Sequence, residues 1–144
     1  MKAHRVGLHH IGVLVLVGGG AVGLLAQTGF SRVVLQDQPL STLGRHGVSA
    51  RAEFAPGASA GLHSHPGEEF GYVIEGTVAL SVHGRPTVTL KTGDVFFIPS
   101  GVPHDGRNLG GTKAALLSVF FAEEGKPLAT PVSSTATANE DRKD

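Results

Sequence analysis

Residues 57–76 read GASAGLHSHPGEEFGYVIEG, and residues 93–108 read GDVFFIPSGVPHDGRN. In the first stretch Gly57 leads to His63, His65, Glu69 and Gly76; in the second Gly93 leads to Pro99, Gly101, His104 and Asn108. A strand turns residues two apart to the same face, so His63 and His65 can both point at one ion. Glu69 shares their parity, but Pro66 and Gly67 break any regular pleat, and parity alone does not place it with the histidines. His104 follows a turn running from Pro99 to Pro103 and is expected from another strand. Three imidazoles and a carboxylate suit a divalent transition ion, since calcium and magnesium prefer shells made of oxygen. In an octahedral shell, four protein ligands leave two positions for a bidentate substrate or for a substrate and dioxygen. The remaining histidines, His4, His9, His10, His46 and His83, fall in basic, loop-like or turn segments and are expected to be solvated.

The flanking sequence reads as short strands. Residues 70–74 are β-branched and aromatic, which suits a strand leaving a tight turn. Residues 48–54 alternate Ala50, Ala52 and Phe54 against Ser49, Arg51 and Glu53, the period of a half-buried strand. Residues 77–82 alternate likewise, His83 to Pro86 is a turn, and residues 87–90, 95–98 and 114–121 supply further strands. Residues 32–36 form an earlier one, ended by Pro39. Turns this frequent, with 21 glycines and 8 prolines among 144 residues, indicate an all-β sandwich or barrel.

Taken together, the two motifs resemble the bipartite signature of the cupin superfamily, and every fixed position of that signature is present. A specified residue stands at a given site one time in ~15–20, so ten coincident matches are very unlike an accident. The resemblance implies a single cupin β-barrel, of the double-stranded β-helix or jelly-roll type, over residues 27–126. It further implies that His63, His65, Glu69 and His104 ligate one divalent transition ion, with Mn, Fe, Ni, Cu and Zn all open. The strand at 32–36 is a candidate element of a homodimer, since such N-terminal strands in cupins often pair with a second subunit. The superfamily includes dioxygenases, decarboxylases, isomerases, lyases, storage proteins and ligand-binding sensors, and the signature does not choose among them.

The pocket must make that choice. Val73, Leu80, Phe96, Ile98, Leu117, Val119 and Phe121 have strand parities compatible with lining it, although the sequence does not separate barrel interior from the sheet's other face. Phe96 is a candidate substrate platform or a core residue. Arg51 is a candidate clamp for a substrate carboxylate, or else a solvated residue paired with Glu53 or Glu75. Glu68 and Asp105 are weighed as neighbours acting on the ligands, with an exposed or turn position as the plainer reading. The expected function is a metal-dependent dioxygenase or related oxidoreductase acting on a small organic substrate. The alternative is a metal-dependent binding protein without turnover.

Composition narrows the setting. Zero formal net charge gives no footprint for nucleic acid, and the absence of cysteine excludes disulfides and thiolate ligands. Lys2 and Arg5 precede an uncharged apolar run from Ile11 to Ala26, so residues 1–26 read as a signal peptide or an N-terminal membrane anchor. Export, to a bacterial periplasm, is therefore expected. Residues 127–144, rich in Ser, Thr, Ala and charge toward their end, are expected to form a disordered tail.

Overall fold

The computed structural model describes residues 28–133. The signal or anchor segment assigned to residues 1–26 lies outside the described residues, as does the chain from residue 134 onward. Among the described residues there is no helix. The strands are β1 (Phe30–Pro39), β2 (Arg45–Phe54), β3 (His63–Ser64), β4 (Gly67–Glu75), β5 (Thr77–Val82), β6 (Val88–Lys91), β7 (Val95–Ile98), β8 (His104–Arg107), β9 (Ala114–Glu123) and β10 (Thr130–Pro131). They form two five-stranded sheets, ordered β1-β2-β9-β4-β7 and β10-β3-β8-β5-β6. Every pairing is antiparallel, as in a cupin double-stranded β-helix.

Alternation along the strands builds the interior between the sheets. In β2, Val48, Ala50, Ala52 and Phe54 are buried while Ser49, Arg51 and Glu53 are not. In β9, Ala114, Leu116, Ser118, Phe120 and Ala122 face in, and Val119 and Phe121 face out. Phe54, Val73, Val78 and Leu116 close the core at one end, drawing side chains from both sheets. Ala50 and Ala52 are small, and beside them the interior keeps open space instead of packed side chain.

The motif glycines carry the corners. Gly57, Gly76, Gly93 and Gly101 all have positive φ, at 78°, 76°, 94° and 75°. Gly76 is constrained twice over, because a Cβ there would also lie 2.6 Å from the carbonyl oxygen of Lys113. Asn108 acts on the backbone as well: its side-chain amide donates to the carbonyls of Phe54 and Thr112, while its Oδ1 accepts from the Gly110 amide.

Two boundaries differ from the sequence reading. The strand expected at 32–36 extends over residues 30–39, with a register shift between Val34 and Gln36. The barrel, expected to stop at residue 126, continues: β10 pairs with β3, the Val132 amide donates to the Leu62 carbonyl, and Leu128 packs against the Val48, Ala50, Phe120 and Ala122 cluster. Composition pointed to a tail because from Thr130 onward the chain is Ser, Thr, Ala, Pro and charge. What holds residues 127–133 is main-chain pairing, to which composition is blind, together with the Leu128 side chain.

Candidate metal centre

His63 lies in β3 directly across from His104 in β8, and His65 follows one step past the end of β3. Glu69 comes from the opposite sheet, on the inward parity of β4 that it shares with Gly71 and Val73. The Pro66-Gly67 break therefore changes sheets between His65 and Glu69 without losing the inward direction. All four side chains are buried. The three imidazole rings stand 4.4–4.9 Å apart between centroids. One ligand nitrogen from each lies within 4.8 Å of the others, so the three histidines can hold a metal ion.

Each ring is aimed by the main chain. The Nδ1–H of His63 donates to the Gly61 carbonyl at 2.6 Å, that of His65 to Leu128 at 2.5 Å and that of His104 to Val102 at 2.9 Å. With Nδ1 protonated and tethered, Nε2 carries the lone pair and turns inward. The Nε2 atoms of His65 and His104 lie 3.2 and 3.3 Å from Glu69 Oε2. His65 Nε2 is nonetheless a buried polar atom without a hydrogen-bond partner. Lone pairs facing a carboxylate repel unless positive charge lies among them, and a divalent ion supplies it. The donor set fits the borderline transition ions expected from sequence.

The electrostatics agree. Burial holds His63 well below the ordinary imidazole value, at about 4, aided by neighbouring His104, His65 and Arg32 and opposed by the Gly61 carbonyl. It is neutral and available as a ligand near pH 7. For Glu69, burial pushes the pKa up, but hydrogen bonds from the facing imidazoles and the Ser118 hydroxyl outweigh it and hold the carboxyl below its usual range. In the metal-free site the imidazole bonds hold only when His104 and His65 carry a second proton; with the imidazoles neutral, a bound cation would take over that role.

A cavity of about 30 Å³ adjoins His63, His104 and Glu69. Phe96 reaches its wall, with its ring packed over Gly71, and Leu80 lines it too. Val73 and Ile98 are core residues, whereas Val119 and Phe121 stand on the outer face with Phe70, Tyr72, Val95 and Phe97. Arg51, weighed as a carboxylate clamp, is not brought to the cavity. Its parity turns it outward, where Nε donates to Glu53 Oε1 at 2.9 Å and Nη2 lies 3.5 Å from Glu75 Oε1. Asp105 does not orient His104 either; it accepts from the Ser59 hydroxyl at 2.7 and 2.9 Å. Glu68 takes the half-buried outward parity of β4.

Sequence reasoning missed Arg32. It comes from β1, is paired with Ala52 of β2, lines the cavity and places Nη2 3.2 Å from His63 Nε2. The available signal was the inward parity it shares with Phe30, but reading it required the pairing of β1 with β2.

Residues 50–120 match the cupin domain family. The oxalate-binding protein of Thermotoga maritima is 41% identical over 73 residues, covering 50% of this chain and 60% of that protein. Germin-like protein 5-1 of Oryza sativa subsp. japonica is 36% identical over 92 residues, covering 60% of this chain and 42% of that one. The chain thus spans less than two thirds of either relative. Among solved structures, a predicted oxalate decarboxylase from Thermotoga maritima superposes with a TM-score of 0.56 at 32% identity, covering 65% of this chain and 80% of that chain. Oxalate decarboxylase from Bacillus subtilis gives a TM-score of 0.61 at 23% identity, over 80% of this chain and 33% of that one, and shows a shared fold.

Proposed function

Because this chain belongs to the cupin superfamily, we propose that it holds one divalent transition ion on His63, His65, Glu69 and His104 and acts on a small organic acid beside it. The proposed reaction class is that of a metal-dependent, dioxygenase-type oxidoreductase. The observation that carries this reading is the set of three buried, backbone-tethered imidazoles whose free nitrogens converge beside a buried carboxylate. A bound ion would supply Lewis acidity and a coordination site for substrate or dioxygen. The chain's own contribution is to keep His63 neutral and all three imidazoles aimed, to offset charge with Glu69, and to line the cavity with Phe54, Phe96 and Leu116. An organic acid is favoured over neutral substrates by the cation Arg32 in the cavity wall, and the 41% identical oxalate-binding relative supports the same class.

The test is metal analysis of the purified chain, followed by oxygen uptake and carbon dioxide release with small hydroxy acids, diacids, diketones and phenols. Near-stoichiometric metal with turnover of the acids is expected. A second reading, metal-dependent binding without turnover, is favoured by the cavity lining: beyond the proposed ligands and Arg32, its one other polar side chain is Ser118. Metal-dependent acid binding with no consumption of any panel member would select it.

Two further parts of the proposal lie outside the site. Exposed Phe70, Tyr72, Val95, Phe97, Val119 and Phe121 form an apolar belt on the outer face of β4, β7 and β9. Clustered exposed apolar side chains of this kind mark association surfaces, so a second copy of the chain is the proposed occupant. Light scattering should give a dimer mass that Phe97→Asp reduces to that of a monomer. Export is proposed from residues 1–26, and mass spectrometry of protein from an exporting host should find an N-terminus near Gln27, or intact Met1 in the membrane fraction.

A further inference from the structure

We propose that Arg32 is the anchor for the carboxylate of a short organic anion bound next to the ion, an assignment that rests on the metal-binding reading above. The side chain is placed for the task by the β1–β2 register, which sets Arg32 opposite Ala52 and Phe30 opposite Phe54. Ala50 and Ala52 leave the room that the guanidinium enters. The guanidinium carbon lies 5.6 Å from the Phe30 ring centroid and 6.0 Å from that of Phe120, so it rests against two aromatic rings.

This cation lacks the partner a half-buried arginine ordinarily has. Among the described residues no carboxylate forms an ion pair with it, whereas Arg51 is paired with Glu53 and Glu75. Its one side-chain hydrogen bond runs to His63 Nε2, the lone pair a metal ion would take. The same lone pair cannot serve both. With the ion held, the Arg32 N–H groups face the cavity without an acceptor, and two cationic centres share a small space with Glu69 as the one anion. An anion that ligates the ion and accepts from the guanidinium satisfies both centres, and the planar fork of arginine matches a carboxylate. Burial lowers the pKa of Arg32 and Glu69 opposes that shift, yet an arginine stays charged across the physiological range.

Size narrows the class further. A cavity of about 30 Å³ is far below the ~150 Å³ that accommodates a benzene ring, which favours the smallest organic anions. The expected ligand is a hydroxy acid, keto acid or diacid of two or three carbons, not a phenol.

The test uses the full chain loaded with Mn²⁺, with glycolate and its neutral amide, glycolamide, as calorimetric probes and atomic absorption as the metal readout. Arg32→Gln should keep its ion, bind glycolate about tenfold to a hundredfold more weakly and bind glycolamide as the wild type does. Arg32→Lys, which keeps the charge without the fork, should recover part of the glycolate affinity. Wild-type glycolate affinity in Arg32→Gln overturns the anchor while leaving the metal site standing. Loss of the ion in both variants overturns it too, marking Arg32 as a support for His63. A wild-type chain that takes up no ion sinks the metal-binding reading itself, and the anchor with it.

Discussion

Arg32 and Arg51 sit on adjacent strands of one sheet and meet opposite fates. Arg51 faces outward, where Glu53 and Glu75 meet it in partial contact with water. Arg32, on the opposite parity, enters the cavity and finds an imidazole nitrogen and two aromatic rings instead of a carboxylate. The same side chain thus closes a surface ion network on one face and leaves an unmatched charge on the other. Which arginine reaches the cavity is decided by a one-residue difference in register, since a step of one flips a side chain across the sheet.

The largest effects should come from the inner face. His104→Ala should reduce bound metal from near one ion per chain to near none, measured by atomic absorption after dialysis, because it removes one of the three converging nitrogens. Retention of a full equivalent of ion would mean that the inner face is not a metal centre and would erase the contrast between the faces.

Acidification of the metal-free chain probes the same contrast through two histidines. His63 has its pKa lowered to about 4 from 6.5, so the unfolded chain binds the proton more readily than the fold does. The stability tied to neutral His63 is present above about pH 6.5 and lost as pH falls through 4, by up to about 3 kcal/mol. His46, hydrogen-bonded to Asp37 at 2.6 Å, has its pKa raised instead. Its contribution is present below pH 6.5 and fades as pH rises through its folded value. Denaturant midpoints of the metal-free wild type should therefore drop steeply toward pH 4, while His46→Gln should be weakened most on the acid side. A wild-type midpoint that rises from pH 6.5 to pH 4 would refute the His63 assignment.

Backbone contact between the strands gives the next effect. A Cβ at Gly67 would lie 2.0 Å from the Phe121 carbonyl oxygen, whereas one at Gly111 meets nothing within 4 Å. Gly67→Ala should cost about 1–3 kcal/mol in urea unfolding, with Gly111→Ala close to neutral. Equal stability of the two variants would show that β4 does not approach β9 this closely. Smallest of all is the outer arginine. Arg51→Ala should cost no more than about 1 kcal/mol and change neither metal content nor acid binding, and a clear loss of glycolate affinity would restore it as a clamp.

The legible part of the molecule was the part encoded by local chemistry. Gly57, Gly76, Gly93 and Gly101 mark corners that demand positive φ, and the His63-Ser64-His65 alternation declares a shared face. Strands β5 and β7 appear where their alternation or apolar run placed them. What stayed hidden depends on pairing between distant residues. Val119 and Phe121 carry the apolar character of a core and lie on the outer face, because their faces are set by the register of β9 against β2 and β4. Arg32 is inward for the same kind of reason, through Ala52. Residues 127–133 are held in part by main-chain contacts that side-chain composition does not report.

The carbonyl of Leu128 that aims His65 lies 63 residues further along the chain. During synthesis, every proposed ligand therefore emerges well before the group that fixes the direction of one of them. Full aiming of the proposed ligand set thus waits on the C-terminal stretch. A protease cutting just ahead of Leu128 would leave all four proposed ligands in the chain and still release the ring that one carbonyl holds, so retention of the proposed ion would depend on how intact that end of the chain remains.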